Sequence, residues 1–203
     1  MTDQQTNTER PTLLDETLPD PDYTLIEHII LPVTTDVAYD AIGSLDLTDV
    51  HDPVTRAALW VRGLPERLRR RVPPRRPTRM TFDNLVIGTD WVLLGQRPGH
   101  EIALGAAGRF WTPVIQWIPV RPDEFAAFEK PGFGRIGIAF SVRPYGDHHS
   151  LVTYEVRTAL PDPATRRAFG RYWVTVRPFV RQVSRGMLNA VRDTAVRQTV
   201  PEA

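Results

Sequence analysis

The chain has 203 residues, a net charge of +1 and 41% hydrophobic residues, enough for one domain with a sizeable core. It contains no cysteine, which excludes disulfides, thiolate metal sites and a cysteine nucleophile. No apolar run approaches the ~20 residues of a membrane span, and the N-terminus lacks a signal-peptide pattern, so we expect a cytoplasmic protein.

The N-terminal part of the chain changes from a polar segment to a strand and then to helical patterns. Residues 1–22 are polar, acidic and interrupted by prolines, with almost nothing to bury. We therefore predict a disordered acidic tail over 1–22 and one domain over 23–198. The segment Tyr23–Leu31 is rich in Ile and Leu and predicts a strand. Two or three short helices are predicted after it, at 35–42, 53–62 and 65–71.

From Met80 onward, short apolar runs alternate with turn signals, a pattern typical of antiparallel strands. The predicted strands are 81–87, 91–96, 101–106, 125–129, 135–143 and 151–160. In the run from Ile136 to Val142, bulky residues alternate with small ones, which predicts a strand with one bulky face toward a core.

A long helix is predicted over residues 162–198. Asp162 can cap its N-terminus, Pro163 suits the first helical position, and Pro178 predicts a kink but not an end. Apolar residues recur at steps of three and four, namely Ala164, Ala168, Tyr172, Val176, Phe179, Val183, Met187 and Val191. The sequence thus predicts an α+β fold in which an antiparallel sheet of about seven strands wraps this C-terminal helix.

Several stretches, in this order, resemble one known superfamily. They are ALWVRGLPERL (58–68), GHEIALGAAGRFW (99–111), FAAFEKPGFGRIGIAFSV (125–142), LVTYEVRTALPDPATRRAF (151–169) and RYW (171–173). Together they resemble a bacterial subgroup of the START-like, or polyketide cyclase/dehydrase-like (SRPBCC), superfamily, whose fold is the helix grip. The chain departs from that pattern at 153–158, where TYEVRT replaces a Thr-Glu-Thr-Arg-like run, although Glu155 and Arg157 keep their places.

The resemblance implies a cavity between the sheet and the long helix that takes apolar or amphipathic small molecules. It implies no particular reaction, because the superfamily includes carriers, cyclases and chaperone-binding modules. The candidate cavity residues are Trp91, Glu101, Trp111, Phe140, Tyr154, Glu155, Arg157, Tyr172, Val176 and Phe179. The aromatic members of this set are typical of both packed cores and cavity walls.

Glu155 and Arg157 share one strand face with Thr153 and have two interpretations. Facing a cavity, they would bind a polar head group or act as an acid and its electrostatic stabiliser. Otherwise they form a structural ion pair that ties strand to strand or to the long helix, and this second interpretation is favoured.

We predict no metal site and no cofactor. His148 and His149 are adjacent on an expected hairpin turn, and neighbouring strand residues chelate one ion poorly. The glycine-rich stretch 88–108 matches neither GxxxxGK nor GxGxxG.

The segment 67–79 contains seven arginines and no acid. It is a candidate surface for an anionic membrane, while nucleic acid is disfavoured because aromatic interleaving is absent. A solvated loop is the favoured interpretation.

Three function classes remain open. The leading hypothesis is binding of a small apolar or amphipathic molecule, lipid- or polyketide-like, in the internal cavity. The second is a cyclase- or hydrolase-like enzyme in the same cavity, with Glu155, Arg157, Glu101 or Tyr154 moving protons. The third is a peripheral membrane or interaction module that uses 67–79. Binding leads because no catalytic constellation is present; GxSxG, for example, is absent.

Overall fold

The computed structural model describes residues 10–45 and 90–199. The helices expected at 53–62 and 65–71, the strand at 81–87 and the arginine stretch 67–79 lie outside the described residues. The strands are β1 (Tyr23–Leu31), β2 (Val92–Arg97), β3 (Glu101–Arg109), β4 (Gln116–Ile118), β5 (Gly134–Pro144) and β6 (Ser150–Ala159). The helices are α1 (Leu13–Thr17), α2 (Thr35–Gly43), α3 (Pro122–Phe125) and α4 (Pro163–Thr199).

The six strands form one antiparallel sheet in the order β1-β6-β5-β3-β2, and β4 pairs with the C-terminal end of β3. The C-terminal helix α4 packs on β1, β6 and α2. This arrangement confirms the predicted α+β class and is consistent with a helix-grip fold. Within the described ranges, no helix combines the length and apolarity that a bilayer crossing requires.

The two faces of the sheet have different coverings. We call the face toward α2 and α4 the inner face and the opposite one the outer face. In the paired strands β5 and β6, Phe140 lies opposite Tyr154 on the inner face. The next pair, Ala139 and Glu155, points to the outer face because successive strand residues alternate.

The predicted strand at 125–129 is wrong. Pro122 occupies the start of a short helix, and Phe125 at its end is fully buried. Proline suits that position because the first N–H groups of a helix have no intrahelical partner. β4 was not predicted, since three residues are too few to show alternation.

The prediction of a disordered tail is wrong for residues 10–22. Helix α1 begins at Leu13 after a capping box, in which Thr12 accepts from the Asp15 backbone and Asp15 accepts from the Thr12 backbone. Leu13, Leu14 and Leu18 are at most 7% exposed and pack on the outer face. Three leucines are enough to dock this short segment, although its overall composition is acidic.

Helix α4 runs unbroken through Pro178, as predicted, but its buried face differs from the predicted one. Ala164 and Ala168 are exposed, whereas Thr165 and Phe169 are buried, so the buried stripe is shifted by one residue at the N-terminal end. Asp162 caps the helix by accepting from the Thr165 hydroxyl (2.5 Å) and backbone N–H (2.8 Å), and from the Gly132 N–H (3.0 Å). These hydrogen bonds lower the pKa of Asp162 to about 2.

Candidate ligand site on the inner face of the sheet

The C-terminal half of α4 is packed tightly on the inner face. Leu188, Val191 and Ala195 are at most 2% exposed and join a core that includes Ala38 and Ile42 of α2. This half of the helix therefore fixes the distance between α4 and the sheet.

The N-terminal end of α4 is held by aromatic rings. We call this set the aromatic cluster; it comprises Tyr23, Trp91, Phe110, Trp111, Trp117, Phe169, Tyr172 and Trp173. Phe169 is its centre, because its ring centroid lies 5.0 Å from Tyr23, 5.6 Å from Trp111 and 5.9 Å from Trp173. The ring of Trp173 is stacked on Phe169, while those of Tyr23 and Trp111 are tilted or edge-on, and such contacts at these separations are favourable for aromatic pairs.

The middle of α4 is packed less completely than either end. In the fully described stretch from Gly170 to Val183, no side chain reaches the burial of Phe169 or Leu188. Val176 and Phe179 are only half-buried, and neither belongs to a cluster of buried side chains within the described residues.

Part of the inner face of β5 is also incompletely buried. Ile136 and Ile138 lie on β5, a strand with a neighbour on each side, and project toward the inner core. Both are nevertheless only half-buried, whereas Phe140 on the same face is 2% exposed. The inner face of β5 is therefore not fully covered at Ile136 and Ile138.

Tyr154 carries a hydroxyl group on the inner face of the sheet. Its ring lies 4.6 Å from that of Phe140 and the residue is 7% exposed. Burial raises the pKa of the phenol, so the hydroxyl keeps its proton at neutral pH. Among the described residues, none donates to or accepts from this hydroxyl, so it retains a hydrogen bond to offer.

Three residues predicted for the cavity lie on the other side of the sheet. Arg157 donates from Nε to Glu155 (2.6 Å) and from Nη2 to Asp15 of α1 (2.6 Å). Glu101 accepts from the Leu13 backbone N–H (3.0 Å) and pairs with Arg97. The cavity assignment of Glu101, Glu155 and Arg157 is therefore wrong, because the outer-face positions of β3 and β6 carry them.

This outer-face network supports the structural ion-pair interpretation of Glu155 and Arg157. Its cations anchor α1, since Arg97 also pairs with Glu16 (2.6 Å) and donates to the Pro11 carbonyl (2.7 Å). Burial alone would raise the pKa of Asp15, but hydrogen bonds from Thr12 and Arg157 outweigh it, and the pKa is lowered.

The remaining predicted residues lie in three places. Trp91, Trp111 and Tyr172 belong to the aromatic cluster, while Phe140 and Tyr154 form the pair on the inner face. Val176 and Phe179 lie on the middle of α4.

Sequence reasoning did not select Phe169, Trp173 or Ile138. The signal for Phe169 was present, because Phe169, Val176, Val180 and Leu188 are spaced as one helical stripe. Ile138 was assigned to the bulky strand face but not to the site.

Comparison with known proteins gives no family. No family model matches the chain, and no curated protein matches it. TTHA0849 from Thermus thermophilus aligns over 88% of this chain and 100% of its own, with 11% identity and a TM-score of 0.29. CalU16 from Micromonospora echinospora aligns over 85% of this chain and 83% of its own, with 12% identity and a TM-score of 0.28. At these TM-scores, neither structure indicates a function for this chain.

Proposed function

We propose that the chain binds a small apolar or amphipathic molecule between the inner face of the sheet and the middle of α4. One observation carries the proposal: both ends of α4 are tightly packed, while its middle and Ile136 and Ile138 on the inner face remain half-buried. Incompletely buried apolar side chains on two facing surfaces favour a ligand of matching character. The resemblance of the sequence to the START-like superfamily supports a ligand site in the same place, because it implies a cavity between the sheet and the long helix.

The chemistry of the lining favours a ligand with one hydrogen-bond acceptor on an apolar body. Ile136, Ile138, Val176 and Phe179 offer only carbon surface, whereas the neutral Tyr154 hydroxyl can donate. A carbonyl on a lipid- or polyketide-like skeleton has this pattern. Charged side chains contribute little to binding in this proposal, because Glu101, Glu155 and Arg157 lie on the outer face.

Binding is favoured over catalysis by the same placement. Three of the four residues considered for proton transfer are already paired on the outer face. Glu101 and Arg157 bond to α1, and Glu155 pairs with Arg157. Tyr154 remains on the inner face, but its raised pKa makes it a hydrogen-bond donor at neutral pH and not a base.

A pair of substitutions on α4 tests the proposal. Val176 lies on the helical stripe of Phe169 and Val180, whereas Val174 is 78% exposed. We expect Val176→Phe to fill the space and weaken binding of a fluorescent fatty-acid probe by about tenfold or more, while Val174→Phe leaves it unchanged. Stability should be similar in both variants, because new volume enters existing space.

The opposite result would show a solid interior. In a filled core, Val176→Phe would overpack and cost about 1–3 kcal/mol. That cost, together with no saturable binding of the probe by the unaltered chain, would overturn the proposal.

A further inference from the structure

A row of side chains at steps of four along α4 runs beside β1, the outermost strand of the described sheet. Trp173 begins the row, and its ring centroid lies 5.5 Å from that of Tyr23. Arg181 and Arg185 end the row, and their Nε atoms lie 2.7 Å and 3.0 Å from the carboxylate oxygens of Glu27. Residues four apart are neighbours on the surface of a helix. The row therefore follows β1 from Tyr23 to Glu27.

Arg177 occupies the middle of this row, one helical turn before the first arginine that pairs with Glu27. The inner-face residue of β1 that precedes Glu27 is Leu25, whose side chain is apolar and buried. The strand therefore offers no acid at the level of Arg177. Arg177 is exposed, and within the described ranges no carboxylate pairs with it. Its guanidinium group is available to an anion that comes from outside the chain.

The incompletely buried middle of α4 lies directly beside this arginine. Val176 precedes Arg177 in the chain, and Phe179 and Val180 follow it within one helical turn. All three apolar side chains are half-buried, although the ends of the helix are tightly packed. The wall of the proposed ligand space and the Arg177 guanidinium group thus belong to the same part of α4, on the side of the helix that runs along β1.

The charges along this row favour an anion over a cation. From residue 173 to residue 185, α4 carries three arginines and no acid. The inner face of β1 carries one carboxylate, Glu27, which is shared by Arg181 and Arg185. Glu27 therefore offsets one of the three positive charges, and two remain. A surface with this excess attracts a negatively charged head group and repels a positively charged one.

We propose that Arg177 binds the acidic head group of the ligand whose apolar body fills the inner-face space. The ligand is then an anionic amphiphile, with a carboxylate or a phosphate at one end of an apolar skeleton. Arginine suits both head groups, because its planar guanidinium group can donate two parallel hydrogen bonds to either. This inference rests on the proposed function. It gives α4 the head-group role first considered for Arg157, which lies on the outer face.

The test uses the full-length chain and three fluorescent probes that share one alkyl chain: a fatty acid, the corresponding alkyl phosphate and the neutral fatty alcohol. We expect at least one anionic probe to bind about tenfold or more tightly than the alcohol, and the tighter of the two identifies the head group. Arg177→Gln should weaken binding of that probe by about tenfold and leave binding of the alcohol within about twofold, because only the anion loses a charge-assisted hydrogen bond. Arg177→Lys should retain part of the preference because it keeps the charge.

Arg171→Gln is the matched control. It also removes an exposed arginine from α4, but Arg171 lies two residues before Trp173 and hence on the other side of the helix from the row. The head-group inference is overturned, with the proposed function intact, if the alcohol binds saturably and as tightly as both anionic probes. It is also overturned if Arg177→Gln weakens the alcohol as much as the anions, or if Arg171→Gln has the same effect as Arg177→Gln. Failure of all three probes to bind saturably would overturn the proposed function together with this inference.

Discussion

Two phenylalanines of α4 should respond very differently to the same substitution. Phe169 is 1% exposed, and its ring contacts those of Tyr23, Phe110 and Trp111 at centroid separations of 5.0–5.7 Å. Phe169→Ala removes a fully packed side chain, so the expected loss of unfolding free energy is about 3–5 kcal/mol. Phe179 is half-buried and belongs to no buried cluster in the described structure, so Phe179→Ala should cost about 1 kcal/mol.

Urea melts of the unaltered chain and both variants provide the measurement. For a chain of this size, each kcal/mol lowers the melting temperature by about 2–4 °C, so thermal melts should separate the two variants clearly. Phe179→Ala should also change the affinity for an apolar probe, because it alters the wall of the proposed space. A cost for Phe179→Ala equal to that of Phe169→Ala would mean that the middle of α4 is packed like its ends, and would refute the reasoning.

Three further predictions concern other parts of the chain. Deleting residues 1–18 should lower the unfolding free energy by about 2 kcal/mol or more, because Leu14 and Leu18 are at most 1% exposed. Deleting residues 1–9 keeps every contact described for α1 and should leave the unfolding free energy unchanged. The pKa of Asp162 is lowered to about 2 from an ordinary 3.8, so its ionised carboxylate stabilises the fold above pH 4, and this stabilisation is lost as the pH falls toward 2. Asp162→Asn, which can still cap the helix, should flatten this acid dependence of stability in urea melts. Flotation with anionic vesicles tests the arginine stretch: Arg69, Arg70, Arg71, Arg75 and Arg76 replaced together by Gln should abolish any association, and no association of the unaltered chain would end that hypothesis.

Alternation and helical periodicity predicted those parts of the fold in which one face is bulky and the other small. The run from Ile136 to Val142 placed its large side chains on the inner face correctly, and Pro178 was correctly read as internal to α4. The helical stripe was misplaced at Ala164 and Ala168 because alanine fits either an exposed or a buried position.

The outer face was harder to predict because its covering comes from a distant segment. Glu155 and Arg157 alternate with apolar residues, and this alternation predicts that they share one face of the sheet. It does not predict which of the two faces meets α4. The small residues opposite them gave a usable signal: a Cβ on Gly137 would lie 2.8 Å from Leu14 Cδ2, and one on Gly105 would lie 2.7 Å from Phe125 Cε2. Glycines on a strand face can mark the close approach of another segment, and here α1 and Phe125 occupy those positions.

The docking of α1 also has a consequence for the order in which the chain folds. Asp15 meets Arg157 across 142 positions of sequence, and the Leu13 N–H meets Glu101 across 88. Contacts of such high sequence separation form only after the strands that carry them are assembled, because closing these loops earlier has a large entropic cost. We therefore expect α1 to be the last described element to dock during folding. Its amides should exchange with solvent through local opening well before those of β5 and β6.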